Sequence, residues 1–404
     1  MTDVFFNPLD DGYVANPFPH LAEMREQLPV QQTLAGPWAV FRNDDVTRLL
    51  REPGLSVDAQ NIESEYDLRE NLLREIFGEE SIVPSTSILN VDPPDHTRLR
   101  RLVSKAFTPR AIEALRPMIQ DLVDQQLDIM ADEGTTDVVD RLAFPLPFDV
   151  ITTMLGMPPG DMQALRTWGE QLVKTLDPII DEQTLRDAVV AGQKMDEHIE
   201  AVIAWKRENP GEDLLTALID VEEDGDRLST IELRDQVSLL FVAGHETTVN
   251  LIGTGIYELL RNPEQADLWR NDESLGPGAI DELLRYVSPV QFSRRITTAP
   301  LSFGGVDIPE SSVVLAGLAS ANRDPEFWGD DADTLDLTRA NASQHMSFGN
   351  GIHYCLGASL AKMEGQVAIH SFLQRFPNAT EAADPHWNGR INLRGLEKLP
   401  LRLN

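Results

Sequence analysis

The chain has 404 residues, 42% of them hydrophobic, so it is long enough to bury a sizeable core. Its formal net charge of −32 argues against nucleic acid and against anionic membrane surfaces as partners. Only six of the 34 basic residues are lysines, and this bias together with the acidity resembles proteins of salt-loving organisms, although an acidic mesophile is the alternative explanation.

Residues 1–8 contain neither a basic leader nor a long apolar run, which argues against a signal peptide and a membrane anchor and predicts a cytoplasmic protein. Helical periodicity dominates the rest of the chain, without a fixed repeat or a polar linker. We therefore expect one domain over residues 1–404, mainly α with a minor β-sheet component, that works as a monomer. Strand-like alternation is confined to Val30–Arg42 and Val290–Ala319.

The first predicted helix with candidate ligand-binding residues follows Pro93 and Pro94. His96 and Arg100 are four residues apart on it, so they lie on one helical face. Both side chains can donate hydrogen bonds to an anion, but such residues are more often found on the surface.

The clearest helix begins at Ser229, which forms a capping box with Glu232, and it ends at Asn262 before Pro263. A helix of this length spans about 50 Å, so it should cross the core. Its middle is almost wholly apolar, but polar side chains such as Glu246 interrupt it and argue against a membrane-spanning helix.

Residues 243–247, Ala-Gly-His-Glu-Thr, lie at the centre of this helix. A glycine costs a helix interior about 1 kcal/mol, and a threonine hydroxyl can bond to a carbonyl one turn back. We therefore expect the hydrogen-bond ladder to loosen into a groove, although tight helix packing would also explain the small residues. In such a groove Glu246 beside Thr247 could pass protons to a bound ligand.

Further along the chain, Glu282 and Arg285 lie three residues apart on one face of a predicted helix. Most pairs with this spacing are solvated and contribute only about 0.2–0.5 kcal/mol. From the residues alone, a surface ion pair is therefore the expectation.

The only cysteine, Cys355, lies in a glycine-rich loop between Phe348 and Gly357. A helical pattern follows the loop, and free N–H groups at a helix start favour a thiolate and lower its pKa. The loop glycines allow the close approach of a flat macrocycle. A lone cysteine is usually an inert buried residue, so the ten-residue order of the loop decides the interpretation.

Two other motif interpretations fail at single positions. A dinucleotide-binding loop would require a glycine where Tyr354 stands. A zinc protease would require a histidine where Val249 stands, after His245 and Glu246.

The order Phe-Gly-x-Gly-x-His-x-Cys-x-Gly over residues 348–357 resembles the haem-binding loop of the cytochrome P-450 family. Residues 243–248 are similar to the family's oxygen-activating motif, and residues 282–285 to its Glu-x-x-Arg pair. All three motifs stand in the family's order. Segments 92–100, 322–325 and 336–339 also resemble family segments, so the resemblance covers most of the chain.

The resemblance implies the single-domain cytochrome P-450 fold, with haem b held between the long central helix and the helix of the Cys loop. It makes Cys355 the axial ligand of the iron, and Glu246 and Thr247 the catalytic pair. It also implies a buried network that holds the Cys loop: Glu282, Arg285 and Arg339. Haem-binding residues, which include four partners of the two propionates, would be His96, Arg100, Ala243, Gly244, Arg295, Phe348, Gly349, His353 and Gly357. Arg101 and Arg294 are the sequence neighbours of Arg100 and Arg295. The arginines that bind the propionates could therefore lie one position away from those assigned.

The implied reaction inserts one atom of O2 into an apolar small-molecule substrate. Electrons would come from NAD(P)H through a separate ferredoxin or flavodoxin and its reductase, because the chain has no flavin or iron–sulfur motif. A peroxide-driven peroxygenase and a haem-based sensor or electron carrier are the alternatives, and the Glu246–Thr247 pair argues against them.

By analogy, the substrate pocket would be lined by the loop Asp58–Asn90 and by the helices around Trp168–Val190. Four single side chains complete the expected lining: Leu240, Ala243, Val290 and Phe292. Apolar pockets discriminate weakly by size, so the sequence permits a terpene, a steroid, a fatty acid or a polyketide.

Overall fold

The computed structural model describes residues 5–62, 72–73, 75–76, 85–105, 107–158, 162–223 and 226–403. Helices dominate these residues. The α-helices with nine or more residues are Phe18–Gln27, Asn43–Arg51, Asp95–Ser104, Arg116–Glu133, Pro145–Met154, Met162–Lys174, Glu182–Glu208, Thr230–Arg261, Pro263–Asn271, Gly276–Val287 and Ala358–Arg375. Shorter α-helices are Pro109–Glu113, Leu214–Asp220, Leu318–Ala321 and Pro325–Trp328, and a π-helical turn spans Val139–Ala143.

The largest sheet has five strands, and its spatial order is Val30–Gln32, Trp38–Val40, Val313–Gly317, Phe292–Thr297 and Leu55–Ser56. The second and third strands are parallel, and the other neighbours are antiparallel. Four of the five strands come from the two segments in which the sequence predicts strands. The prediction of a minor sheet in a mainly helical chain is thus confirmed.

The remaining strands are short, and only the pair around Gly304 and Gly305 lies in a segment where the sequence predicts strands. A three-stranded sheet consists of Thr380–Glu381, Pro400–Arg402 and Thr135–Asp137. Two-stranded pairs are Glu222–Glu223 with Asp226–Arg227, Leu301–Phe303 with Val306–Ile308, and His386–Trp387 with Leu396–Lys398. The last pair carries a loop that reaches the long helix.

The long helix has 32 residues, Thr230–Arg261, and it organises the core. The predicted capping box is confirmed, since the Ser229 hydroxyl accepts the Glu232 N–H and the Glu232 carboxylate accepts the Ser229 N–H. Its second half is buried, and the helix packs against Pro145–Met154, Glu182–Glu208 and Ala358–Arg375. Among the described residues, no helix has both the length and the apolar composition that crossing a bilayer requires.

Candidate functional site

The Cys loop has a backbone that only glycine adopts readily at two positions. Gly349 and Gly351 have φ angles of +70° and +71°, and a Cβ atom on Gly351 would collide with the carbonyl oxygen of Leu50. The backbone N–H of Cys355 donates to the Phe348 carbonyl at 2.9 Å, which closes the loop. The loop therefore has a fixed shape against the neighbouring helix.

The third loop glycine has a different role. Gly357 has an ordinary φ of −86° and precedes the helix Ala358–Arg375, but a Cβ atom built on it meets no atom within 4 Å. Open space of this kind next to Cys355 suits the expected macrocycle.

The thiol of Cys355 does not have the lowered pKa that its place before a helix predicts. Burial raises the pKa of Cys355, and it outweighs the Gly357 N–H and the Arg100 guanidinium, which act to lower it. The Gly357 N–H thus acts in the direction that the helix start predicts, but burial has the larger effect. A coordinated metal ion would deprotonate the thiol outright.

A buried ion-pair network lies behind the loop. The Arg285 guanidinium donates two hydrogen bonds of 2.7 Å to the Glu282 carboxylate, and both side chains are fully buried. Arg339 also contacts Glu282, at 3.2 Å. The structure therefore brings Glu282, Arg285 and Arg339 together in the core, where the spacing of the first two alone predicted a surface pair.

Asn322 connects this network to the Cys loop. Its carbonyl oxygen accepts from Arg285 at 2.9 Å, its side-chain amide donates to the Ser347 hydroxyl at 2.9 Å, and its amide oxygen accepts the Met346 N–H at 2.7 Å. Asn322 lies in a segment that resembles the family, but no motif in the sequence indicates its role. Only the fold shows that it joins Arg285 to the two residues that precede the loop.

Four basic side chains converge beside the Cys loop. The rings of His96 and His353 have centroids 4.2 Å apart, and Arg100 donates to the Tyr354 carbonyl at 2.5 Å. Arg295 is buried, and burial lowers its pKa to about 10. Burial lowers the pKa of His353 to about 3, and the positive charges of His96, Arg295 and Arg100 contribute to that shift.

This cluster needs an anion. His96 is only 3% exposed, yet neither of its ring nitrogens has a hydrogen-bond partner among the described residues. No carboxylate of the described chain forms an ion pair with Arg100 or Arg295. Buried donors without acceptors are costly, and arginine suits carboxylates, so the two propionates of haem fit this cluster.

The neighbouring arginines differ from these in their surroundings. Arg101 is exposed, whereas Arg100 is half-buried. Arg294 is also less buried than Arg295, and it donates to the Val57 carbonyl at 3.4 Å. Burial therefore favours Arg100 and Arg295 over the adjacent positions.

The long helix remains a continuous α-helix through Ala243 and Gly244, so the expected loosening of its ladder is wrong. The hydroxyls of Thr247 and Thr248 donate to the Ala243 and Gly244 carbonyls at 3.0 and 3.2 Å without breaking the helix. Ala243 and Gly244 are nevertheless exposed in the middle of a core helix, and a Cβ atom on Gly244 meets nothing within 4 Å. Ala243 and Gly244 therefore leave open space beside the long helix, although the helical backbone is not distorted there.

Glu246 has a buried ion-pair partner, Arg390, that no sequence motif indicates. Its carboxylate forms an ion pair with Arg390 at 2.6 Å, and the two side chains are 10% and 12% exposed. Burial raises the pKa of Glu246, and Arg390 opposes that shift. No local pattern signals a contact between residues 144 positions apart.

The expected pocket residues do not all come together. Leu240 packs against the same buried cluster as Leu356, the neighbour of Cys355. Val290 is half-buried and packs against a different buried cluster, and Phe292 is buried in a third cluster with its ring against Phe6. Most of the predicted lining loop 58–90 lies outside the described residues.

Comparisons with known proteins agree on one family. A family model described as cytochrome P-450 matches residues 75–272 and 275–388. Cytochrome P-450 107B1 of Saccharopolyspora erythraea is 43% identical over 97% of this chain and 96% of its own length. The 6-deoxyerythronolide B hydroxylase of the same organism is 36% identical over 95% of each chain.

A solved structure gives the same result for the fold. The cytochrome P-450 PksS of the Bacillus subtilis bacillaene polyketide synthase has a TM-score of 0.88 and 34% identity, covering 99% of this chain and 100% of that one. The predicted fold class is therefore confirmed. The chain belongs to the cytochrome P-450 family: it is a monooxygenase that carries haem b and receives electrons from NAD(P)H through separate redox partners.

Proposed function

We propose that Cys355 is the axial ligand of the haem iron and that His96, Arg100, Arg295 and His353 hold the propionates. The buried, unpartnered ring of His96 inside a cluster of positive charge is the observation that carries this proposal. Further contacts to the macrocycle would come from Ala243, Gly244, Phe348, Gly349 and Gly357. When bound, the haem supplies oxygen activation, because thiolate electron density favours O–O cleavage.

A ligand exchange tests the role of Cys355. We expect Cys355→His to retain haem, since imidazole is also a haem ligand, but to lose the carbon monoxide spectrum that is typical of thiolate ligation. The reduced carbon monoxide complexes of parent and variant are compared, and pyridine haemochrome quantifies the haem. An unchanged spectrum in the variant would contradict the assignment.

Glu246 and Thr247 are proposed as the catalytic pair. Glu246 lines a polar cavity beside the long helix, while the Thr247 hydroxyl bonds to the Ala243 carbonyl next to the open space at Gly244. A sensor or an electron carrier has no use for such a pair, so we propose NAD(P)H-driven oxygen insertion and not those functions.

The redox partner is proposed to be a ferredoxin or a flavodoxin that docks at the Cys loop. Ile352 and Tyr354 expose 56% and 42% of their surface in this loop. Two arginines of neighbouring helices contact this loop, since Arg51 donates to the Asn350 side chain and Arg100 donates to the Tyr354 carbonyl. In a chain with a net charge of −32, basic side chains beside an exposed apolar surface favour a small acidic carrier.

The substrate is proposed to be an apolar polyketide. The relative PksS is named for a polyketide synthase, and the expected pocket residues Leu240 and Val290 are apolar. We expect a polyketide macrolactone to bind the haem-loaded protein and shift its haem absorption band. The same titration with fatty acids and steroids is the comparison, and a shift with those compounds alone would contradict the polyketide class.

Two general expectations remain proposals. We propose that residues 1–404 form one domain, because buried clusters join distant parts of the chain: one contains residues from Ile112 to Leu403, and another contains residues from Phe6 to Ile391. A cytoplasmic location is also proposed, because the redox partners draw on NAD(P)H and the single cysteine forms no internal disulfide.

A further inference from the structure

A charged cavity lies beside the long helix. It has a volume of about 620 Å³ and separates the helix Met162–Lys174 from the C-terminal strand pair 386–398. Glu246 is the acidic residue that the long helix contributes to its wall, and Arg390 lines it as well. The proposed proton relay thus has one end at a polar cavity large enough to hold several water molecules.

The backbone around Arg390 is fixed to the rest of the fold. Gly389 has a φ of +72°, and the Arg390 N–H donates to the Asn388 side chain at 3.1 Å. The Asp177 carboxylate accepts the N–H groups of Ile391 and Asn392 at 3.3 and 2.7 Å. With its backbone held on both sides, Arg390 presents its guanidinium to Glu246 in a defined position.

We propose that Arg390 is a positioning residue of proton delivery, which holds the Glu246 carboxylate ionised at the wall of the charged cavity, so that protons reach Glu246 from this cavity. The inference rests on the proposed role of Glu246 as the relay acid. Arg390 itself touches neither the expected substrate nor the expected haem contacts.

The charges around Glu246 indicate what Arg390 does. The helix Met162–Lys174 presents Arg166 and Glu170, whose charges have opposite sign, while Arg390 forms the direct ion pair from the other side. Burial raises the pKa of Glu246, and Arg390 acts against burial. A relay acid must both take up and release a proton near the working pH. A carboxyl whose burial is not opposed by a positive charge has a raised pKa and would keep its proton.

The first measurement is an infrared titration of the Glu246 carboxyl in the ferric holoenzyme, without reductant. The band of Glu246 is identified as the one that Glu246→Gln removes. In Arg390→Gln the loss of an adjacent positive charge should raise the pKa of Glu246 by about 1–3 units. Arg390→Lys keeps the charge and should restore most of the parent value.

Lys398→Gln is the matched control. Lys398 lines the same cavity, and its replacement removes the same charge without disturbing the ion pair of Glu246. We expect it to move the pKa of Glu246 by less than about half a unit, because the charge is exposed and screened. A shift in Arg390→Gln no larger than that in Lys398→Gln would overturn the inference. If Arg390→Gln does not fold, Arg390→Met keeps the apolar stem and undergoes the same test.

The second measurement is the pH profile of product formation. The limb that Glu246 governs should move to higher pH in Arg390→Gln, in the direction of its pKa, and return in Arg390→Lys. A residue that only stabilised the loop would lower the thermal midpoint and leave the profile in place. If Glu246→Gln keeps the parent rate and coupling, the relay role itself fails. If Glu246→Gln is impaired and the titration is unmoved by Arg390→Gln, the positioning role alone is overturned.

Discussion

Glu246 and Thr247 are adjacent in the sequence, but their side chains meet different surroundings. The Thr247 hydroxyl donates to the Ala243 carbonyl and is half-buried next to open space. The Glu246 carboxylate is buried against Arg390 and turned to a charged cavity. We therefore expect Glu246 to govern the supply of protons and Thr247 to govern where the last proton goes.

Thr247→Ala should separate oxygen consumption from oxygen insertion. If the proton is not placed correctly, reduced oxygen leaves as peroxide, so the variant should oxidise NAD(P)H, release peroxide and form little product. Glu246→Gln should instead slow the whole cycle, because a proton relay contributes about 10²–10⁴-fold. For each variant we would measure NAD(P)H oxidised, peroxide released and product formed with one substrate.

Thr248→Ala is the matched control for this comparison. Its hydroxyl makes the same kind of bond, to the Gly244 carbonyl at 3.2 Å, but the residue is only 2% exposed. It should keep the coupling of the parent. Parent-like coupling in Thr247→Ala as well would contradict the role given to Thr247.

At the scale of elements, the helix Gly276–Val287 shows how burial changes the value of an ion pair. Glu282 and Arg285 are fully buried and share their charges with Arg339. An exposed pair with the same spacing, Glu113 and Arg116, lies elsewhere on the surface at 2.6 Å. The two pairs have the same local pattern and different surroundings, which makes them a natural comparison.

Glu282→Gln should destabilise the protein by about 3–5 kcal/mol, because it leaves the fully buried Arg285 guanidinium without a carboxylate, whereas Arg339 keeps Asp331. Haem retention should fall with it, since Arg285 connects through Asn322 to the Cys loop. Urea unfolding and haem content are the measurements. Glu113→Gln should leave both nearly unchanged, and equal effects in the two variants would show that burial is not the cause.

Local patterns predicted the elements that carry the site. The capping box at Ser229 and the proline at 263 placed the long helix within one residue of its ends. Alternation over the longer segments 30–42 and 290–319 predicted the main strands, but an isolated strand of three residues such as Thr135–Asp137 is too short for a periodic signal. The continuous helix at Gly244 was mispredicted, because the surrounding core outweighs the small helix cost of one glycine.

Long-range contacts were the part that sequence patterns could not supply. The roles of Arg390 and Asn322 depend on partners 144 and 25 positions away. The burial of Glu282 depends likewise on how helices pack, which no spacing of two residues reveals. The family resemblance predicted the basic residues of the haem cluster. The structure was needed to identify Arg390 and Asn322, which position the site.

At the scale of the whole molecule, charge is the dominant feature. There are 66 acidic and 34 basic residues, and several basic ones are buried in the site and in the network behind it. The surface is therefore strongly acidic, and its charges repel each other in the compact state. In molar salt the Debye length falls to about 3 Å, which screens most of this repulsion.

We therefore expect the thermal midpoint to climb as potassium chloride is raised into the molar range. Differential scanning calorimetry at constant pH measures it. Chloride is preferable to sulfate, because sulfate stabilises most proteins by exclusion whatever their charge. A flat or falling midpoint would remove the salt-adapted interpretation of the composition.

The bond between Arg100 and the Tyr354 carbonyl joins residues 254 positions apart. Ribosomes add about 5–20 residues per second, so Arg100 leaves the peptidyl transferase centre roughly 13–50 s before Tyr354 does. During that interval the nascent chain already contains Arg100, whereas the Cys loop has not yet been translated. Capture of haem through both the cluster and Cys355 must therefore wait until synthesis is nearly complete.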